Sequence, residues 1–474
     1  MTRGDHGRSI GLTILVVALA IGFVLRSTDI AANPFWLDEA YSAFAAEKGF
    51  AFIWFVLPGY ETHPPLYSAL LRLWTLIAGT GVQEYRLFGE IAGSATLVVI
   101  GLAARELAAI LRRPELVLVI AAVLIAATLA TFVEVSRTVR PYALIVFANA
   151  CTFLAVLRIV RIEATEARLA RWPFLAYLAG LVLLVWLHNL GALYAAAAAL
   201  FLMIAIGPKR LLTRHAAAIL AGHGVAAACM APALLILADL APTWASSTWL
   251  SFRPERLAED MLTLFGLPGP FGLAVALLLS VLALRTTAAE TRRMLWGLLL
   301  AALLPVALAL ALTIAIAPVF LPRTLVAAAL PLILLMAAGV DRRLFTQVAL
   351  AGFCVLSALR AVALQALPPE QDWYGVIAWL APRMGAADAV YAYPNEGALP
   401  LRFALRDRNL RLRVRPLPTD IPARDHAGWY PTGSRGVQSL PPARLAELAA
   451  DAESRRTPTI WLLRLRKSSY DPRD

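Results

Sequence analysis

Long uncharged, mainly apolar stretches at 10–25, 116–130, 175–187, 298–316 and 325–340 constrain this chain more than any other feature. A helix needs roughly 20 such residues to cross about 30 Å of hydrocarbon, and several of these runs approach that length. Composition agrees, with 60% hydrophobic and 16% charged residues, against the roughly 25% charged content of soluble domains. The sequence therefore reads as a polytopic membrane protein of all-α bundle type.

The net charge of +12 would raise nucleic acid as a partner for a soluble protein. Here Lys and Arg fall in short links between apolar runs, the pattern produced by the cytoplasmic bias of basic residues, so nucleic acid is excluded. Cys151, Cys229 and Cys354 lie inside apolar runs without CxxC spacing, which offers neither a disulfide framework nor a zinc site. The first run follows Arg3 and Arg8 and ends at Phe23-Val24-Leu25-Arg26 without a small-residue cleavage site. It reads as a retained span.

The basic links at 105–113, 158–171, 209–214, 285–293 and 342–343 are expected to face the cytoplasm with the N-terminus. Eleven spans follow, near 10–26, 85–104, 115–133, 142–160, 173–188, 190–207, 216–238, 269–285, 294–316, 323–340 and 344–366. Residues 64–78 resemble a further span, but crossing there would invert every later loop and place Arg72 in lipid, which is costly. That segment reads as an interfacial or re-entrant helix. The domains expected are a membrane domain at 1–366, whose first outer loop is 27–84 with juxtamembrane helices, and a soluble domain at 367–474 on the non-cytoplasmic side.

The second domain begins where Leu367-Pro368-Pro369 ends the apolar runs. Helix-like 372–383, strand-like 388–393, helix-like 399–406, strand-like 410–414, helix-like 442–450 and strand-like 459–465 alternate there. Such an order predicts a small α/β layer domain. Neither a 20 to 50 residue repeat nor a P-loop or Rossmann glycine pattern occurs.

The outer loop brings Asp38 and Glu39 together among Trp36 and Tyr41. Asp38 suits a helix cap over 39–48 with Glu39 in its first turn, and it equally suits a general base at a membrane surface. Glu61-Thr62-His63-Pro64-Pro65 follows in the same loop, where His63 and a Pro-started helix could dock an anion such as a lipid phosphate. Arg137 and Arg140, with Glu134 and Tyr142 beside them, stand on the outer face against the charge bias and suit a phosphate ligand. His188, in an outer turn with Asn189 and Gly191, and Arg323, after Pro322, add donors to that face. Singly, a solvated turn His and a snorkelling Arg account for them as well.

These residues resemble the GT-C-fold glycosyltransferases related to protein O-mannosyltransferases and lipid A aminoarabinose transferase, in the glycosyltransferase 39-like branch. The resemblance rests on WLDEAYS at 36–42, THPPLYSALLRLW at 62–74, EYRLFGEIAG at 84–93, RPYAL at 140–144, WLHNLGAL at 186–193 and PRTLVAAALPL at 322–332. It implies a bacterial inner membrane enzyme with a cytoplasmic N-terminus and an outer C-terminal domain. The donor would be a polyprenyl-phosphate sugar and the acceptor a lipid, glycan or protein hydroxyl. Asp38 would be the catalytic carboxylate with Glu39 beside it. His63, Arg137, Arg140, His188 and Arg323 would surround the donor phosphate, supported by Glu61, Glu134 and Tyr142. Relatives often carry an acid where Thr138 stands, and the resemblance leaves a divalent metal open without naming its ligands. If that link is helical, Glu134 shares a face with Thr138 and could stand in for the acid.

The expected reaction is inverting transfer from the lipid phosphate to a hydroxyl, with Asp38 as base and the cations stabilising the departing phosphate. A transporter or flippase for a lipid-linked anion would use the same cations for binding only. A noncatalytic assembly subunit is the third reading, in which Asp38 could be replaced without effect.

Overall fold

A computed structural model describes residues 3–59, 61–247, 250–393, 395–417, 446–447, 449–451 and 456–465. Seven of its helices are long and apolar enough to cross a membrane, and up to nine spans result if two bent helix pairs each count as one. The protein is a multi-span membrane protein. The chain divides into two compact units, the first comprising Met1–Thr28, Gly89–Leu235 and Phe252–Leu367, and the second Asp29–Phe88, Ile236–Ser251 and Pro368–Asp474.

In the first unit, Arg3–Ser27 packs on Glu115–Thr128, Tyr142–Glu166 on Arg171–Leu187, and Gly191–Ile206 on Ala289–Ala315. Burial ranks the spans. The apolar window of Tyr142–Glu166 is 72% buried and that of Ala216–Pro242 only 17%, so the former is central and the latter offers most of its surface to lipid. Every expected span coincides with an apolar helix, but three fall short of a full crossing length: Arg171–Leu187, Gly191–Ile206 and Val326–Gly339. The 16 residues of Gly191–Ile206 rise only about 24 Å.

The expected span at 115–133 is bent by 60° between Glu115–Thr128 and Ala130–Ser136. A break inside hydrocarbon exposes carbonyls that need donors. Arg26, fully buried, supplies them: its Nη1 donates to Ala127 O at 3.0 Å and its Nη2 to Ala126 O at 3.1 Å. The turn after Arg171–Leu187 depends on Gly191, because a Cβ there would collide with the Leu184 carbonyl.

The second unit holds the first loop. Leu37–Glu47 turns by 111° into Phe50–Gly59, a change that Gly49 permits with φ of +86°. Residues 64–78 form the helix Leu66–Ala78, which at 13 residues rises about 20 Å and is too short to cross. Leu37–Glu47 packs on it.

The same unit contains a three-stranded parallel sheet in the order β2-β1-β3, with β1 Ala389–Tyr393, β2 Arg413–Pro416 and β3 Ile460–Arg464. Val390 pairs in register with Val414 and with Trp461. All five residues of β1 are buried, as a central parallel strand requires. The helices Trp373–Leu380 and Ala398–Asp407 close one face through Trp373, Ile377, Leu401 and Leu405. Asp372 caps the first of them, accepting from Gly375 N at 2.8 Å. The α/β layer is therefore as expected, although the second strand lies three residues later than its apolar pattern suggests. The expected helix at 442–450 lies largely outside the described residues.

Candidate functional site

Asp38 sits one position inside the Leu37–Glu47 helix and does not cap it; the N-cap is Trp36, extended with ψ of 172°. The helix start is satisfied differently. Leu37 N–H donates to Gln371 Oε1 at 2.9 Å, and the Glu39 carboxylate reaches back so that its Oε2 accepts from the Trp36 backbone N–H at 3.4 Å. Two first-turn carboxylates complement the helix dipole. The Asp38 carbonyl accepts from Ser42 Oγ at 3.0 Å, which ties the turn carrying Asp38 to the next.

Glu39 is buried and paired. Arg86 grips it with two bonds, Nε to Oε1 at 3.1 Å and Nη2 to Oε2 at 2.7 Å, the fork geometry that makes such pairs strong and directional. The remaining donors of Arg86 fix the preceding chain, with Nη1 on Ile30 O at 2.9 Å and Asn33 O at 2.8 Å, and Nη2 on Pro34 O at 3.0 Å. Its guanidinium also lies 5.5 Å from the Phe35 ring centroid. Thus one arginine locks both the helix that bears Asp38 and the turn leading into it.

Phe35 extends that frame. It meets Tyr85 edge-on at 5.7 Å and Phe403 of the Ala398–Asp407 helix at 5.4 Å. Farther along, Glu47 accepts from Tyr85 Oη at 3.0 Å and pairs with Arg406 Nη1 at 2.9 Å. Helix Ala398–Asp407 of the α/β layer is therefore a direct support for the Asp38 helix. His63 is half-buried just before Pro64 and Pro65, and its backbone N–H donates to Glu61 Oε1 at 3.3 Å.

The first unit gathers the other candidates. Arg137 Nη1 donates to Arg26 O at 2.9 Å and Thr28 O at 2.6 Å, capping the carbonyl end of Arg3–Ser27, where a cation is favoured. Arg140 lies 5.9 Å from the Tyr142 ring, and Tyr142 lies 6.0 Å from the buried His188 ring. His188 Nδ1 accepts Leu190 N–H at 3.0 Å, so its Nε2 carries the donor hydrogen in the neutral tautomer. Tyr194 Oη donates to Thr324 O at 2.8 Å, which holds the turn containing Arg323. Arg323 and Arg360 both exert their charge on Glu134. The links around 134–142, 188–191 and 322–324 thus meet at one end of this unit.

Sequence reasoning missed Arg86 as a site residue. The signal was present: it stands at the beginning of a span on the face that should be poor in arginine, the same departure that marked Arg137 and Arg140. Its partner lies 47 positions away, a separation no local pattern encodes. Among the described residues no three His, Cys, Asp or Glu side chains gather as a metal-holding group. Thr138 instead turns its hydroxyl to Val135 O at 3.0 Å.

Solved structures share the architecture. ArnT from Cupriavidus metallidurans in the apo state matches with a TM-score of 0.55 at 14% identity, with 86% of each chain covered. ArnT bound to undecaprenyl phosphate matches at 0.54 and 14% identity, over 85% of each chain. The archaeal oligosaccharyltransferase AglB from Archaeoglobus fulgidus, in complex with an inhibitory peptide and a dolichol-phosphate, matches at 0.52 and 13% identity, over 84% of this chain and 64% of that one. The chain has the GT-C fold. No family model and no curated protein sequence matches it.

Proposed function

We propose that this GT-C-fold protein is a membrane glycosyltransferase that moves a sugar from a polyprenyl-phosphate carrier to an acceptor hydroxyl on the non-cytoplasmic face, with inversion. The observation that carries the reading is the setting of Asp38. It is an acidic residue at a helix start whose neighbour Glu39 is clamped by Arg86 and whose helix is supported by the α/β layer. The neighbours' ligands favour the donor class, since ArnT is seen with undecaprenyl phosphate and AglB with a dolichol-phosphate.

In this reading Asp38 accepts the proton of the acceptor hydroxyl as its oxygen attacks the anomeric carbon opposite the phosphate. The bond from that carbon to the phosphate oxygen breaks, and its electron pair leaves with the lipid phosphate. Arg140, His188 and Arg323 favour the growing negative charge on the leaving group, while Arg137 orders the adjacent link. Glu39 acts as a positioning residue. Because the carrier phosphate is already a leaving group, no nucleotide site is needed.

The test compares carrier lipids and envelope glycans in cells with and without the gene. Accumulation of one polyprenyl-phosphate sugar together with loss of one glycan supports the transferase and identifies both substrates. Unchanged carriers and glycans, with a lipid-linked sugar displaced between leaflets, would replace it with a flippase.

A further inference from the structure

The opposite, basic links contain a cavity of about 440 Å³ that the proposed transfer does not use. We propose that it binds the phosphate headgroup of an anionic membrane lipid. Arg105, Arg158 and Arg161 face it with Glu106 and Glu115, so three guanidinium groups oppose two carboxylates.

The charges are arranged for an additional anion. Glu106, only 10% exposed, is shared by Arg158 Nε at 3.2 Å and Arg161 Nε at 2.6 Å, whereas those arginines remain 45% and 47% exposed. Both pair through Nε, which leaves the two Nη groups of each guanidinium for phosphate oxygens. Arg105 pairs with Glu115 at 3.1 Å and closes the other side. Glu106 thus preorganises two arginines without neutralising both.

Position favours a lipid over a soluble anion. Arg105 is near the end of Val82–Leu111, Arg158 and Arg161 are near the end of Tyr142–Glu166, and Glu115 begins Glu115–Thr128. The ends of membrane-crossing helices lie at headgroup depth, and Ala109 and Ile162 supply apolar wall. Basic pockets between such helices on a positively charged face suit anionic headgroups.

The experiment uses the full chain in mixed micelles with phosphatidylglycerol, phosphatidylcholine or inorganic phosphate, read by native mass spectrometry. Wild type should retain phosphatidylglycerol over phosphatidylcholine. The variant Arg158→Gln/Arg161→Gln should weaken that retention by about tenfold or more, given a contribution of about 1 kcal/mol per basic residue near an anionic surface. Glu106→Gln added to the pair removes the buried carboxylate left without partners, so a folded variant is obtained for the same comparison. Equal phosphatidylglycerol retention by wild type and the triple variant would overturn the site. Displacement of the lipid by inorganic phosphate at equal concentration would overturn the lipid assignment.

Discussion

Arg86 and Glu39 form a two-bond ion pair whose side chains are 7% and 1% exposed, with the shorter bond at 2.7 Å. Burial makes the pair unforgiving, because loss of one partner leaves the other desolvated and unpaired. Arg86→Met should destabilise the protein by about 3–5 kcal/mol and lower transfer with it. The double variant Arg86→Met/Glu39→Leu should recover part of that loss. Thermal unfolding of the two variants checks this; equal stability of Arg86→Met and wild type would mean the pair contributes nothing.

The Phe403 ring joins the α/β layer to Phe35. Truncation by Phe403→Ala should cost about 3–5 kcal/mol as a buried aromatic and reduce turnover through the Asp38 helix. At matched folded protein, kcat should fall in reconstituted vesicles while donor binding changes little. A variant with unaltered kcat would show that the layer does not position the loop.

Gly191 occupies a turn in which a Cβ would meet the Leu184 carbonyl. The backbone must shift to admit Gly191→Ala, displacing His188 three residues earlier. A loss of at least about 2 kcal/mol is expected, together with weaker binding of a polyprenyl phosphate. Both can be followed by thermal melting with and without that lipid.

Asp388 accepts Gly385 N–H at 2.9 Å and Trp461 Nε1–H at 3.2 Å, and these bonds hold its carboxyl below the usual range, the backbone bond contributing most. A depressed folded pKa favours folding above the unfolded carboxylate value, about 4, and that contribution disappears as pH falls through the folded value. The α/β layer of wild type should therefore lose stability on acidification below about pH 5 more steeply than Asp388→Asn. Trp461 fluorescence during denaturant titration at several pH values checks the sign.

The sequence made the helical architecture legible because membrane spans are written locally, in runs of apolar side chains. The shortness of the apolar run at 64–78 was legible in the same way, and its helix Leu66–Ala78 has 13 residues. The break before Ala130 was hidden, because the donors that stabilise it come from Arg26, about 100 positions away. Asp38 was visible as an acid at a helix start, yet its assignment as the cap failed because Gln371, from the far end of the chain, serves the first helical N–H. Glu39 looked equivalent to Asp38 until Arg86 separated them.

Asp38 is proposed as the catalytic base, and its carboxylate can be replaced without changing the shape of the side chain. Purified wild type and Asp38→Asn, reconstituted in vesicles with the polyprenyl-phosphate sugar that accumulates in deletion cells, provide the direct comparison of transfer to acceptor. Asn keeps the shape of the side chain and cannot take the proton, so transfer should fall by about 100-fold or more while melting temperature and donor binding stay near wild type. Transfer at the wild-type rate by the folded Asn variant would exclude Asp38 as the base.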